Sequence, residues 1–402
     1  MESRVEPEVE DRGEIGREIL VTSLVVSLAD LSNGAISSTF SLYADRLGAS
    51  LTLIGFLASC VGLSRTVTGA PTGMVSDRIG RKRFLILGAA LFSVAPFFFA
   101  ITRDPFLLVP IRLLMGFAMV STFPVGLTYV GELADPVGRG RAIGLCSASM
   151  GVGFSTGLYL GGYIAGSLGY EVNFLTASLE GLVAAIIAWR GLKGFRVSGH
   201  RQAQRGLLSG FKSLLVNPKI MAAGMAGFFV SLVYSEVLNF FPLYAASVGL
   251  SLGVIGAIFA VRTFVSTGVR LPTGLLASRF GSIRFLILSL TLCAAVMFVI
   301  PMSSSAYLLT LLLAVEGVGF GIYLTSSSTY VVEVSQSHER GAAMGVSGTF
   351  SSLGDTISAF VLGVFADFFG LPSTFVLASA LAILGALTVG ILSRRGPKTP
   401  AF

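Results

Sequence analysis

Charge is scarce in this sequence. Asp, Glu, Lys and Arg make up 12% of the 402 residues, against 53% hydrophobic residues. A soluble domain carries about twice that charge, so the composition excludes a water-soluble globular protein and leaves one integral to a membrane. Histidine occurs twice, at His200 and His338, both in polar segments, and cysteine three times, at Cys60, Cys146 and Cys293, all in apolar runs. Such cysteines read as small core hydrophobes rather than disulfides or metal ligands. No Walker phosphate loop, His-Glu-x-x-His pair or Cys-x-x-Cys pattern is present. This argues against an ATP-driven pump and a metalloenzyme, and no cofactor or metal is expected. The net charge of +7 is dispersed over loops between apolar runs, so it does not read as a nucleic-acid surface. Without a nucleophile–base constellation, an enzyme is not expected either.

What the chain does have is a duplicated unit. Pro71–Leu87, PTGMVSDRIGRKRFLIL, returns 201 residues later at Pro272–Leu288 as PTGLLASRFGSIRFLIL, identical at ten of seventeen positions. The same offset relates Tyr43-Ala44 to Tyr244-Ala245, Glu132 to Glu333 and Arg139-Gly140 to Arg340-Gly341. One register held over so many landmarks marks two structural repeats.

Apolar runs of about twenty residues cross a bilayer as helices. Twelve such runs are present. They lie near 20–43, 51–74, 84–102, 106–130, 142–166 and 172–189, then near 220–245, 252–275, 284–302, 307–331, 342–366 and 373–393. The expected fold is an all-α membrane protein with twelve transmembrane helices in two pseudo-symmetric six-helix bundles, 20–189 and 220–393. Residues 1–19, with seven acids and three arginines, have the wrong flank for a secretory leader and read as a disordered tail. Residues 190–219 hold seven basic residues and no acid, and read as a linker between the halves. Residues 394–402 form the other tail. The tails and the loops after even-numbered spans carry 22 of the 28 lysines and arginines, and the opposite loops carry two, Arg46 and Arg103. By the positive-inside rule both termini are cytoplasmic, in a multi-pass protein of the cell (inner) membrane.

Gly73-x-x-x-Asp77-Arg78-x-Gly80-Arg81-Lys82 resembles the loop signature between the second and third helices of the major facilitator superfamily. Arg112-x-x-Met115-Gly116 resembles that family's fourth-helix signature. Gly153, Gly157 and Gly161, four apart and followed by Gly162, resemble the glycine helix of the family's antiporters; glycines on one face let helices approach closely. The resemblance implies secondary transport by alternating access, with a site between the halves. It implies that Asp77 and Arg78 latch the ends of the two halves and that Gly73 permits close packing. The second copy has Ser278 in place of Asp77 and Ser282-Ile283 in place of Arg81-Lys82, so the latch is expected to rest mainly on the first half.

Nine ionisable residues fall within the apolar runs: Asp30, Arg65, Arg112, Glu180, Glu236, Arg262, Arg270, Glu316 and Asp355. Each is costly in hydrocarbon unless paired or wetted, and so marks a functional site or an internal partner. In the family fold the first, fourth, seventh and tenth helices line the cavity, and Asp30, Arg112, Glu236 and Glu316 fall one on each. With Asp355, they are the expected substrate and proton site. Asp30 lies ten residues into its run, roughly 15 Å deep. A desolvated carboxylate takes up a proton more readily and a neighbouring arginine reverses that, which makes a coupling device. Aromatics on the same helices, among them Phe40 and Tyr234, suit an amphipathic or cationic compound. The expected function is proton-coupled export of amphipathic or drug-like molecules, with the bilayer and protons as partners and the chain as a monomer. The alternatives are uptake of a sugar or organic acid, which Arg65, Arg112 and Arg262 would suit, and a non-transporting sensor. For the topology, a single cysteine replacing Arg201 is expected to react with an impermeant maleimide only from the cytoplasmic side, and one replacing Ala49 only from outside; reversed labelling overturns the orientation.

Overall fold

The computed structural model describes residues 9–135, 138–194, 217–336 and 339–395. Most of the basic linker, the end of the C-terminal tail, Arg201, His200 and His338 lie outside the described residues. Twelve segments among the described residues are long and apolar enough to cross a membrane. The first is broken into α1 (Val9–Ser37) and α2 (Phe40–Arg46). There follow α3 (Leu51–Ile79), α4 (Arg81–Ile101), α5 (Leu108–Leu133), α6 (Arg139–Leu168) and α7 (Tyr170–Gly191). The second half opens with another broken span, α8 (Pro218–Asn239) and α9 (Phe241–Ser247). It continues with α10 (Leu252–Phe280), α11 (Ser282–Val299), α12 (Ala306–Val334), α13 (Arg340–Phe369) and α14 (Leu371–Arg394). The bounds of α2 and α9, of α3 and α10, and of α6 and α13 differ by the repeat offset of 201 at both ends.

The helix of the first span reaches into the segment that composition reads as a disordered tail. The reason lies at its end: Glu18 is buried and accepts hydrogen bonds from the Tyr129 hydroxyl at 2.5 Å and from the backbone N–H groups of Lys193 and Gly194 at 3.0–3.1 Å. Lys193 also pairs with Glu14. These contacts, with Ile15 and Ile19 packed against the core of the first half, offset the cost of ordering a charged segment.

Repeated residues of the sequence find repeated jobs. The Tyr43 hydroxyl donates to the carbonyl oxygens of Phe99 and Thr102, and the Tyr244 hydroxyl to that of Ser303, its counterpart. Each satisfies acceptors left free where a helix ends. Gly80 and Gly281 adopt φ of 104° and 90° between consecutive helices, a conformation that side chains resist, which explains their place in both copies of the loop.

The glycine helix α6 packs on α1 backbone to backbone. A methyl group at Gly153, Gly157 or Gly161 would lie 2.0–2.4 Å from the carbonyl oxygens of Ser27, Leu31 and Ala35. The mirror contact sets Gly354 of α13 against Phe228 of α8.

The halves meet along two seams, α3 with α13 and α6 with α10. Both seams are closed at the ends away from the basic loops. Gly55 lies against Ala359 and Gly363, Gly62 against Thr356, and Gly162 against Leu252 and Gly256. Toward the basic face, a methyl group at Gly69, Gly73, Gly140, Gly144, Gly268, Gly345 or Gly348 would meet nothing within 4 Å among the described residues. The halves therefore splay apart on the basic side, opening the space between them to that face. Ala49 is only 6% exposed, so Phe106 and Tyr307, at 68% and 91% on the same face, are better labelling positions.

Gly157→Ala is expected to force α1 from α6 and cost about 1–3 kcal/mol, read as a lower melting temperature of the purified protein. Gly69→Ala, which meets nothing, is expected to leave that temperature unchanged or raise it slightly.

Candidate functional site

The membrane-buried charges gather around Tyr234 on α8. Its ring lies within electrostatic range of Asp30, Arg65, Arg262 and Asp355, which come from α1, α3, α10 and α13. Tyr234 stacks on Phe320 of α12, with centroids 4.7 Å apart and planes 13° from parallel. The Arg262 guanidinium carbon sits 5.2 Å from the centroid of each ring, a cation–π arrangement strengthened by exclusion of water.

Arg262 and Glu316 form a buried, bidentate ion pair. Nη2 donates to Oε1 at 2.9 Å and Nε to Oε2, and both side chains are at most 2% exposed. The pair joins α10 to α12 inside the second half. Its positions in the first half are Val61 and Met115, so the charge pair belongs to one repeat alone.

Arg65 and Asp355 form a different kind of pair. Arg65 Nη1 lies 3.6 Å from Asp355 Oδ2, across the boundary between halves and at the point where the α3–α13 seam opens. Arg112 is within electrostatic range of Asp355. Its own contacts are the Leu57 carbonyl oxygen, to which Nε donates at 3.1 Å, and the Phe40 ring, 4.0 Å from the guanidinium carbon. Arg112 thus spends its charge on a carbonyl and an aromatic face.

Asp30 is 8% exposed. Its Oδ1 accepts a hydrogen bond from Asn33 Nδ2 at 3.1 Å, one helical turn on, and it forms no ion pair among the described residues. It is held in place by α6, whose glycines let α1 sit against it.

Glu236 is the expected site residue that faces elsewhere. It is fully buried and accepts a hydrogen bond at 2.6 Å from Thr374 of α14. Its counterparts are Ala35 and Asn173, and there the donor lies on the same side: Asn173 Nδ2 of α7 donates to the Ala35 carbonyl oxygen at 3.0 Å. Both contacts tie a broken first helix to the sixth helix of its half, so Glu236 sits at a bundle-internal joint. Two residues apart on α8, Glu236 and Tyr234 lie on opposite faces, and packing decides which of those faces meets the gap. Glu180, also within α7, has a buried Oε2 without a hydrogen bond.

The loop motif forms its own network. Arg81 pairs with Asp77, donates to Ser76 Oγ at 2.6 Å, and holds Glu132 through Nη2 at 2.7 Å and Nε at 3.4 Å. In the second copy Ser282 replaces Arg81 and donates to Glu333 at 2.8 Å. The α3–α4 corner is thereby tied to the end of α5, and the α10–α11 corner to the end of α12. With the basic side open, these contacts of Asp77 and Arg81 stay within the first half, and Arg78 is exposed.

Two broken spans, two pseudo-symmetric bundles and a charged site between them define the class of protein. A sequence model described as Major Facilitator Superfamily matches residues 22–261 and 224–402, and the chain belongs to that superfamily. Multidrug resistance protein 1 of Bacillus subtilis is 25% identical over 355 residues, covering 87% of this chain and 89% of its own. Quinolone resistance protein NorA of Staphylococcus aureus is 22% identical over 363 residues, covering 88% and 91%. An uncharacterized MFS-type transporter of Methanocaldococcus jannaschii is 23% identical over 385 residues, covering 95% and 98%. Among solved structures, an inward-facing, unoccupied bacterial homolog of the human lysosomal transporter Spinster matches with a TM-score of 0.85 at 15% identity, over 98% of this chain and all of that one. The nucleoside transporter NupG matches at 0.75 and 15% identity, over 93% and 98%.

Glu316→Gln is expected to leave Arg262 buried without a counter-charge and to destabilise the protein by about 3–5 kcal/mol. The double variant Arg262→Met with Glu316→Met is expected to recover most of that loss. Equal stability of Glu316→Gln and the parent in thermal unfolding would remove the pair from the second half's core.

Proposed function

We propose that this superfamily member is a proton-coupled secondary transporter that exports amphipathic or drug-like molecules by alternating access. The observation that carries the reading is Asp30: an acid beside the gap between halves, without an ion-pair partner among the described residues. Glu316 and Asp355 are each opposed by an arginine, and Glu236 faces α14. Asp30 is therefore the acid best placed to exchange one positive charge for another, a proton or a cationic substrate group. The stacked Tyr234–Phe320 platform nearby suits the apolar, aromatic body of such a compound. Resemblance to two proteins named for drug and quinolone resistance points the same way.

In this reading the basic face is cytoplasmic, so the gap opens to the cytoplasm. A cationic amphiphile entering from there displaces the proton on Asp30. The halves then rock about the midplane, the compound leaves outside, and a proton returns in its place. Asp77 and Arg78 hold the cytoplasmic ends together once that side closes. Both termini are cytoplasmic, the protein lies in the cell membrane, and it works as a monomer.

The test uses proteoliposomes and a thermal-shift screen. Cationic amphiphiles, but not sugars or organic acids, are expected to raise the melting temperature, as any ligand does that binds the folded state above its dissociation constant. Asp30→Asn mimics the protonated acid. It is expected to fold, to keep substrate exchange, and to lose accumulation driven by a pH gradient. An Asp30→Asn protein that still concentrates substrate on a pH gradient rules out Asp30 as the carrier, and stabilisation by organic acids alone favours uptake over export.

A further inference from the structure

Besides the Ser59 hydroxyl, which donates to the Thr356 carbonyl oxygen at 2.6 Å in its closed part, the α3–α13 seam is fastened at two charged points. One is the Arg65–Asp355 pair where the seam opens. The other is at the far end, where Asp367, in the last turn of α13, reaches across to the start of α3. Its Oδ1 accepts from the Leu51 N–H at 3.0 Å and its Oδ2 from the Thr52 N–H at 2.9 Å.

The first N–H groups of a helix have no partner within it. α3 provides for one of them itself: Ser50, in extended conformation, accepts from the Leu53 N–H at 3.2 Å. The two before it are satisfied by a carboxylate from the other half. A negative charge at a helix N-terminus, accepting two backbone hydrogen bonds, is a favourable and directional contact.

The other seam lacks this device. Ser251, the counterpart of Ser50, makes no capping hydrogen bond, and the counterpart of Asp367 is Gly166, which packs against Leu252 and Gly253. Nor does the carboxylate serve the packing of its own half. α13 is held there by backbone contacts such as Gly354 against Phe228, while both of the Asp367 hydrogen bonds above cross to α3.

We propose that Asp367 is an outer latch, which holds the transporter closed on the face away from the basic loops and must let go of Leu51 and Thr52 for that face to open. α3 and α13 then carry one acid on the last turn of each, Asp77 at the basic end and Asp367 at the other. Asp367 is engaged across the seam here, while Asp77 is turned to Arg81 of its own half. The inference rests on alternating access but not on what is transported.

The test measures distances by double electron–electron resonance in substrate-free protein. Spin labels replace Phe106 and Tyr307, exposed on the outer face of the two halves, and in a second sample Arg83 and Arg284, exposed on the basic face. The three native cysteines are buried. Asp367→Asn is expected to raise the ratio of outer-open to outer-closed molecules about tenfold or more, with the basic-face pair shifting to shorter distances. Asp367→Glu is expected to restore part of the parent distribution.

Leu51→Pro tests the donor side. It deletes one accepted N–H, at a first-turn position and after an extended residue, where proline fits. It is expected to shift both distances in the same direction, by less. Unchanged distributions in Asp367→Asn overturn the latch, whether or not the melting temperature falls. Should that variant not fold, unchanged distributions in Leu51→Pro overturn it instead.

Discussion

A charge within hydrocarbon must find its partner inside the protein, and this constraint arranges the centre of the molecule. Arg262 and Glu316 neutralise each other completely and brace α10 against α12. Arg112 settles for a carbonyl oxygen and the face of Phe40. Arg65 and Asp355 meet at 3.6 Å across the boundary between halves, partly wetted, in a pair that motion of the halves would break. Asp30 has a single amide. The residues thus form a series from a locked pair, through a partly exposed one, to an acid without an ion-pair partner among the described residues.

A second constraint is steric. Two bundles that rock against one another need seams that close tightly yet hold few irreversible contacts. Glycines supply this, because backbones in direct contact pack well but make no interlocking side chains. Gly55, Gly62, Gly162, Gly256 and Gly363 form the closed part of the seams, and glycines further along line the part that has opened. The contacts of Ser59, Asp355 and Asp367 add polar links across the α3–α13 seam. α6 uses its glycines in both ways: Gly153, Gly157 and Gly161 bind α1 within the half, and Gly162 meets the other half.

The duplication explains the frame and leaves the chemistry unequal. Tyr43 and Tyr244, Gly80 and Gly281, and the Glu132 and Glu333 contacts repeat because each solves a backbone problem that occurs in both halves. The ionisable residues inside the spans, and Asp367 at the end of one, do not repeat. Asp30 corresponds to Ser231, Glu316 to Met115, Asp355 to Phe154 and Asp367 to Gly166.

The sequence by itself determined the number of spans, their order, the two halves and the residues that pay to be buried. Hydrophobic run length and a fixed repeat offset are properties of the chain, and the bilayer translates them directly into helices. It also told that Gly153, Gly157 and Gly161 pack closely, because four-residue spacing puts them on one face. Only the tertiary structure decided which charges meet. Glu236 and Tyr234, two residues apart on α8, must face opposite ways, but only packing set Glu236 against Thr374 and Tyr234 toward the gap between halves. Arg262 and Glu316 are 54 residues apart, and Asp367 reaches a helix 315 residues earlier. Pairing at such separations depends on how helices rotate and tilt against their neighbours. That is set by the sum of their packing contacts, and no local pattern along the chain encodes it.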